Sequence, residues 1–161
     1  MGPLKYFLGI EVARSKNGLY ISQRKYALDI LSEAGMLGSK LSDIPIDPNL
    51  KLLPDEGALY SDPGRYRHMV GKLNYLTVTR PDISFAVGVV SQFLNSPRVP
   101  HWDAFVHILQ YIKLAPGNGV LYQNHGHTDL AGFTDADWAG SIVDRRSIAG
   151  FCIFFGDNPI S

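Results

Sequence analysis

Asp62-Pro63-Gly64-Arg65-Tyr66-Arg67-His68-Met69-Val70-Gly71-Lys72-Leu73-Asn74-Tyr75-Leu76 carries a start signal and an apolar stripe at helical spacing. Asp62 offers a capping carboxylate, Pro63 suits a first helical turn, and Tyr66, Met69, Val70, Leu73 and Leu76 recur on one helical face. The helix is expected to end at Arg80, before Pro81. Pro81 can itself open a second helix, with Ile83, Ala86, Val87, Val90 and Leu94 as its apolar stripe and Asn95-Ser96-Pro97 as its stop. A further helix is expected over residues 100–114, with Trp102, Phe105, Val106, Leu109 and Ile112 facing inward and Pro116-Gly117 closing it.

On either side of this block the apolar period falls to two. Tyr6, Leu8, Ile10 and Val12 alternate with Phe7, Gly9, Glu11 and Ala13, and Leu19-Tyr20-Ile21 follows Ser15-Lys16-Asn17-Gly18. That pattern predicts a β-hairpin turning at Asn-Gly. Ser22 stands where a helix cap belongs, and Tyr26, Ala27, Ile30, Leu31 and Ala34 predict a helix over residues 23–34, stopped by Gly35. Residues 36–61, with Pro45, Pro48 and Pro54, read as a long connecting loop. Beyond the helices, Val120 and Tyr122, then Leu130, Gly132 and Thr134, and finally residues 150–155 read as strands. The last two form a hairpin through Asp144-Arg145-Arg146-Ser147. Hairpin, helices, hairpin is an α+β order, with a seam near residues 115–128.

A chain of 161 residues, 45% hydrophobic and 19% charged, is long and apolar enough for one ordinary domain or two small ones. A net charge of zero argues against a protein whose main business is gripping phosphates. The distribution is less even: residues 1–128 hold 13 Lys and Arg against 10 Asp and Glu, and residues 129–161 hold 2 against 5. No apolar run approaches the roughly 18 residues of a membrane span, and the first residues lack the pattern of a signal peptide. The single Cys152, in Phe151-Cys152-Ile153-Phe154, reads as a small hydrophobe; it rules out a disulfide within the chain and fits an intracellular protein.

Phe133-Thr134-Asp135-Ala136-Asp137-Trp138 is the most suggestive chemical cluster, since residues two apart in a strand share a face. Two carboxylates so placed suit Mg²⁺, which can organise phosphodiester hydrolysis as one of a metal pair. A strand running into a polar turn has the same composition, and a dedicated metal site needs more than two ligands. His125-Gly126-His127-Thr128-Asp129 has no second cluster of Cys or His to complete a zinc shell. His101 and His107 are six apart and are expected at the surface or half-buried. Candidates for phosphate contact are Arg65, Arg67, His68 and Lys72 on the second helix, with Arg14, Lys16, Arg24 and Lys25 near the first hairpin. A solvated helix face would carry the same charges. No phosphate-binding Gly-rich loop, Gly-x-Ser-x-Gly elbow or His-Glu-x-x-His motif occurs.

Several longer words carry a resemblance. Leu4-Lys5-Tyr6-Phe7-Leu8-Gly9-Ile10-Glu11-Val12, Tyr20-Ile21-Ser22-Gln23-Arg24-Lys25-Tyr26, Gly71-Lys72-Leu73-Asn74-Tyr75-Leu76, Thr79-Arg80-Pro81-Asp82-Ile83 and His101-Trp102 strongly resemble copia-type retrotransposon reverse transcriptase just after its catalytic palm strands. Gly132-Phe133-Thr134-Asp135-Ala136-Asp137-Trp138-Ala139-Gly140, Asp144-Arg145-Arg146-Ser147 and Gly150-Phe151-Cys152 resemble the start of the family's ribonuclease H domain.

The resemblance implies two parts. Residues 1–118 would be the carboxy-side part of the reverse transcriptase, with a primer-gripping hairpin and thumb and connection-like helices. Residues 119–161 would be the first strands of an incomplete ribonuclease H-like sheet. Asp135 matches the first metal-binding carboxylate of the nuclease, so the family's Mg²⁺ would touch it, although one ligand cannot organise two metals and none is expected to bind tightly. The polymerase's paired aspartates would precede Met1, and the remaining nuclease carboxylates would follow Ser161. Gln110, Leu114 and Asn118 stand where the family pattern leads us to expect a basic residue, a glycine and a basic residue, and Ile148-Ala149 replaces a usual Thr-Ser. The expected partner is an RNA/DNA hybrid or primer-template, held weakly through Arg14, Lys16, Arg24, Lys25, Arg65, Arg67, Lys72, Arg145 and Arg146. Two alternatives stand beside this reading: a piece of a longer active RNA-directed DNA polymerase and ribonuclease H, and a non-catalytic interaction module adopted by a host, associating with a partner or itself through an open sheet edge.

Overall fold

The structure is a computed structural model and describes residues 5–137 and 148–160. Its elements run β1 (Tyr6–Phe7), β2 (Ile10–Ser15), β3 (Gly18–Ser22), α1 (Arg24–Glu33), α2 (Pro63–Leu76), α3 (Ser84–Ser91), α4 (Val99–Leu114), β4 (Gly119–Tyr122), β5 (Leu130–Asp137), β6 (Ile148–Phe155) and β7 (Asn158–Pro159). A 3-10 turn, Pro81–Ile83, leads into α3. The arrangement is mixed, with helices between antiparallel sheets.

The run from Tyr6 to Val12 is not one strand. Phe7 pairs with Ile10 across a two-residue turn at Leu8 (φ 48) and Gly9 (φ 84), the doubly positive conformation of a type I′ hairpin. Leu8 adopts an angle that costs a residue with a Cβ, and the Tyr75 hydroxyl, which donates to the Leu8 carbonyl, helps hold it. The next hairpin pairs Ser15 with Gly18, so its turn residues are Lys16 and Asn17 rather than the Asn-Gly pair. Ser22 does not cap α1: it is buried in β3, Gln23 takes the N-cap position, and Glu11 of β2 accepts from the Lys25 amide at 3.1 Å. The carboxylate beside the helix N-terminus thus comes from a neighbouring strand.

Asp62 caps α2 as its position predicts, its Oδ1 accepting from the Arg65 amide at 2.8 Å. The helix ends at Leu76, not Arg80. The β-branched run Thr77-Val78-Thr79 is a weak helix former, and Pro81 forces Arg80 out of helical geometry (φ −127°, ψ 66°). Likewise α3 stops at Ser91, short of Leu94.

The four helices close one core. Tyr66, Met69, Val70, Leu73 and Leu76 meet Ile83, Ala86, Val87 and Val90, and below them Phe105, Ile108, Leu109 and Ile112, with Ala27, Ile30 and Leu31 from α1. The Tyr66 hydroxyl, buried here, donates to the Val90 carbonyl at 2.7 Å, and its phenol is pushed well above the usual range by burial. His101, expected near the surface, is fully buried and stacks on Phe93 at 3.8 Å. Its Nδ1 accepts from the Arg98 amide at 3.0 Å, so its Nε2 donates to the Leu53 carbonyl at 3.0 Å. A neutral ring serves both bonds. The Arg98 guanidinium reaches the carbonyls of Pro54 and Gly57, both at 2.7 Å. Together they tie residues 36–61 to the start of α4.

β1 to β4 form one sheet in the order β1-β2-β3-β4, and β5 to β7 another, in the order β5-β6-β7. β4, which the sequence reading groups with the C-terminal strands, pairs with β3 and so adds to the sheet of the first hairpin, with Leu19 opposite Tyr122 and Ser22 opposite Gly119. In the second sheet Leu130 faces Phe155 and Asp135 faces Gly150. The turn through Asp144-Arg145-Arg146-Ser147 lies outside the described residues. Asn158 links the sheets, accepting from the Gln123 amide at 2.7 Å and donating to the Gln123 carbonyl at 2.8 Å. No described helix is long and apolar enough to cross a membrane.

Candidate nucleic-acid interface

Arg14 and Lys16 are exposed at the tip of the β2–β3 hairpin, and Arg24 and Lys25 are exposed in the first turn of α1. Lys25 lies 3.9 Å from the Asp29 carboxylate; among the described residues Arg14, Lys16 and Arg24 have no carboxylate partner. Cations at a helix N-terminus oppose the helix dipole, so Arg24, with no carboxylate partner among the described residues, does not serve helix stability by its charge.

The α2 cations are used differently. Arg65 lies 5.3 Å over the Trp102 ring, and Arg67 donates to the Leu94 carbonyl at 3.3 Å. Lys72 pairs with Glu33 of α1, whose other oxygen meets His68 at 2.9 Å. The Lys72 hydrogen bond, opposed by burial and joined by His68, holds the Glu33 carboxyl below its usual range. This cluster clamps α1 to α2 and leaves Lys72 less available to an outside phosphate. Arg145 and Arg146 lie outside the described residues.

Arg80, which the sequence offers no reason to single out from the Thr79-Arg80-Pro81-Asp82-Ile83 word, anchors a polar network. Its side chain, 2% exposed, bonds both Asp82 oxygens, donates to the Ala115 carbonyl at 3.0 Å and lies 5.5 Å from the Tyr111 ring centre. Tyr111 donates to the same carboxylate at 2.9 Å. Burial works to raise the Asp82 carboxyl, but the Arg80 bonds and charge prevail and lower it. Burial also pushes the Tyr111 phenol up. The Thr79-Arg80-Pro81-Asp82 word therefore locks the corner before α3 to the end of α4. Beside it, buried Thr79 donates to the Gln23 side-chain oxygen at 2.9 Å.

Asp135 is exposed on β5, opposite Gly150. The side chain of Asp137 lies outside what is described. Among the described residues no group of three or more His, Cys, Asp or Glu is arranged to hold a metal ion. His127 instead sits between carboxylates, 3.3 Å from Asp129 and 3.1 Å from Asp157. Cys152 is half-buried.

A concave feature lies at the hairpin tip. A cleft of about 630 Å³ opens between Arg14, Ser15, Lys16 and Asn17 on one side and the chain leaving β4 on the other. Gly18 makes the approach possible: a Cβ there would stand 2.1 Å from the Tyr122 carbonyl oxygen. The sequence marked Arg14 and Lys16 but not the opposite wall, Tyr122 to His125, because only the pairing of β3 with β4 brings it there.

The chain is 42% identical over 158 residues, 98% of its length, to the retrovirus-related Pol polyprotein from transposon RE1 of Arabidopsis thaliana. It is 36% identical over 174 aligned positions to that from transposon TNT 1-94 of Nicotiana tabacum. An uncharacterised mitochondrial protein of Arabidopsis thaliana matches the whole chain at 42% identity, and the match covers 67% of that protein. The chain belongs to the copia-type retrotransposon Pol polyproteins. It spans 11% of the RE1 polyprotein and 13% of the TNT 1-94 polyprotein, so it corresponds to one segment of a copia-type Pol chain. No family model matches it, and no solved structure does.

Proposed function

We propose that this segment comes from the reverse transcriptase and ribonuclease H part of a copia-type polyprotein, where the carboxy-side portion of the polymerase meets the first nuclease strands. Its role in this reading is to hold an RNA/DNA primer-template by the sugar-phosphate backbone. The observation that supports it is the placement of Arg14, Lys16 and Arg24, exposed and, among the described residues, without carboxylate partners, on the β2–β3–α1 unit. Exposed cations with no carboxylate partner among the described residues are available to phosphates, whose contacts release counterions and give affinity without sequence readout. An A-form-like hybrid suits such contacts, since it is recognised by shape and backbone. Asp135 takes the position of a first nuclease carboxylate in this reading, and no catalytic step is assigned to the segment alone.

The test is binding of a labelled RNA/DNA primer-template by the 161-residue chain. Affinity should fall roughly tenfold or more between about 50 mM and about 200 mM salt and should not depend on sequence. Equal retention at both salt concentrations, or no retention at either, removes the reading.

A further inference from the structure

The His101 ring is fully buried although it stands in the first turn of α4, and one of its two hydrogen bonds goes to a segment that buries no side chain of its own. Residues 53–59 are all exposed and lie along the head of α4 as a strap. Its ends are fixed by buried Leu52 and by Tyr60, whose ring stacks on Trp102 at 4.7 Å. Between them the attachments are polar. The Val99 amide donates to the Ala58 carbonyl at 2.9 Å, and the Arg98 guanidinium, which holds the carbonyls of Pro54 and Gly57, also meets the Asp55 carboxylate at 3.2 Å. Gly57, at φ 83, permits the close approach, since a Cβ there would stand 2.7 Å from Pro100 Cδ. A segment tied down in this way opens at lower cost than the apolar core beneath it.

The bonds of His101 suit the neutral ring alone. Its Nδ1 accepts from the Arg98 amide and its Nε2 donates to the Leu53 carbonyl. A proton on Nδ1 would set two donors against each other across 3.0 Å and place a charge in a fully buried position. Burial lowers the pKa of the ring, against the Leu53 bond and with the help of the Arg98 charge. The surrounding elements also carry Asp103 on α4, Asp55 and Glu56 on the strap, and Arg65 and Arg67 on α2, while residues 84–97, which supply the stacked Phe93, carry no charge. Arg98 is the one among them whose charge acts on the ring, and it repels a second positive charge there. Relief comes from water, and the cover that can move aside is the strap.

We propose that residues 53–59 form an acid-released strap: uptake of a proton by His101 frees them from the head of α4, while Leu52 and Tyr60 keep both ends on the core. The open form takes the proton near the ordinary histidine value of about 6.5 and the closed form only below it. The open fraction therefore rises by up to about tenfold for each pH unit below about 6.5, and stops rising below the value of the closed form. The device belongs to the helical block and is independent of the nucleic-acid reading above.

Amide hydrogen exchange of the 161-residue chain, followed by NMR from about pH 8 to about pH 5 and corrected for intrinsic exchange, reads this opening. The reporters are the amides of Arg98 and Val99, bonded to His101 and to the strap; those of Leu73 in α2 and Ile108 in α4 report on the core. Protection at Arg98 and Val99 should fall by up to about tenfold per pH unit below about 6.5 and stay below that of the core amides. It should also respond little to dilute urea, because lifting the strap exposes little surface. In His101→Gln, whose side chain does not titrate, the pH dependence should vanish. Protection that is flat over this range overturns the proposal. Protection equal to that of Leu73 and Ile108 at every pH also overturns it, by assigning the effect to unfolding of the whole block, as does a pH dependence that survives His101→Gln. If that variant does not fold, the pH and urea dependence of the parent decides alone.

Discussion

The helical block and the second sheet carry similar apolar side chains and treat them in opposite ways. Tyr66, Leu73 and Phe105 are 0% exposed, whereas Leu130, Phe133 and Phe151 are 71%, 64% and 69% exposed. A helix needs only one covered stripe, and four helices joined by short turns and one long loop can cover one another. A sheet presents two faces, and each needs its own layer. Leu130 and Phe151 lie on one face of β5–β6 and Phe133 on the other, and no described element covers either. Hydrophobic content therefore does not measure core.

The largest expected effect tests that contrast directly. Phe105→Ala should cost about 3–5 kcal/mol in urea unfolding, by lost transfer energy and the cavity left behind. Phe133→Ala should cost less than about 1 kcal/mol, because an exposed ring has little burial to lose. Equal losses would mean that the second sheet is as well covered as the helices.

Next comes the polar lock of the helical block. Asp82→Asn leaves the Arg80 guanidinium buried without its counter-charge and should cost about 3 kcal/mol, the low end for a broken buried pair because Asp82 is itself partly exposed. The Asp82 carboxyl is lowered in the folded state, so its contribution is full above the ordinary Asp value near 4 and is lost as pH falls through the lower folded value. Acid unfolding curves of the parent and Asp82→Asn should converge below that value. Parallel curves would mean that the pair contributes nothing.

His101 sharpens the comparison at milder pH. Burial, with a smaller push from Arg98 and against the Leu53 bond, lowers its pKa. The unfolded ring takes a proton near pH 6.5 while the folded ring stays neutral, so stability should fall as pH drops below about 6.5 and level off at the folded value. The slope cannot exceed about 1.4 kcal/mol per pH unit for one proton, and His101→Gln should abolish it. A slope unchanged in the variant would assign the effect to another group. Smallest is the exposed clamp between α1 and α2: Glu33→Gln should change stability by less than about 1 kcal/mol, measured by thermal unfolding at low and high salt.

Much of the helical block was legible because its signals are local. The stripe of α2, the Asp62 cap and the Gly35 stop all act within one or two turns, and each stands where the residues place it. The end of α2 was overrun because an apolar stripe continues past the point where β-branched residues and Pro81 make the helix unfavourable, and α3 too stops before its stripe does, at Ser91 rather than Leu94. Of the candidate interface, the cations were visible and their availability was not. Nothing near Lys72 in the chain announces Glu33, 39 residues away, and nothing near Arg14 announces His125.

Read without coordinates, the residues already give the α+β order, the buried face of α2 and membership of the copia-type Pol family, because periodicity, caps and long shared words are local or linear; on α4 they put Trp102 and Val106 inward, whereas these are half-buried and Ala104 and Ile108 are buried. The tertiary structure decided the Leu8–Gly9 turn, the burial of His101 against Leu53, the capping of α1 by Glu11 and the joining of β4 to β3. Each of these depends on a group that packing, not sequence neighbourhood, brings near: Leu8 is held by Tyr75, 67 residues on, and His101 by Leu53, 48 residues back. The cleft exists for the same reason, since its two walls meet only when the strand at 119–122 returns to the hairpin at 10–22.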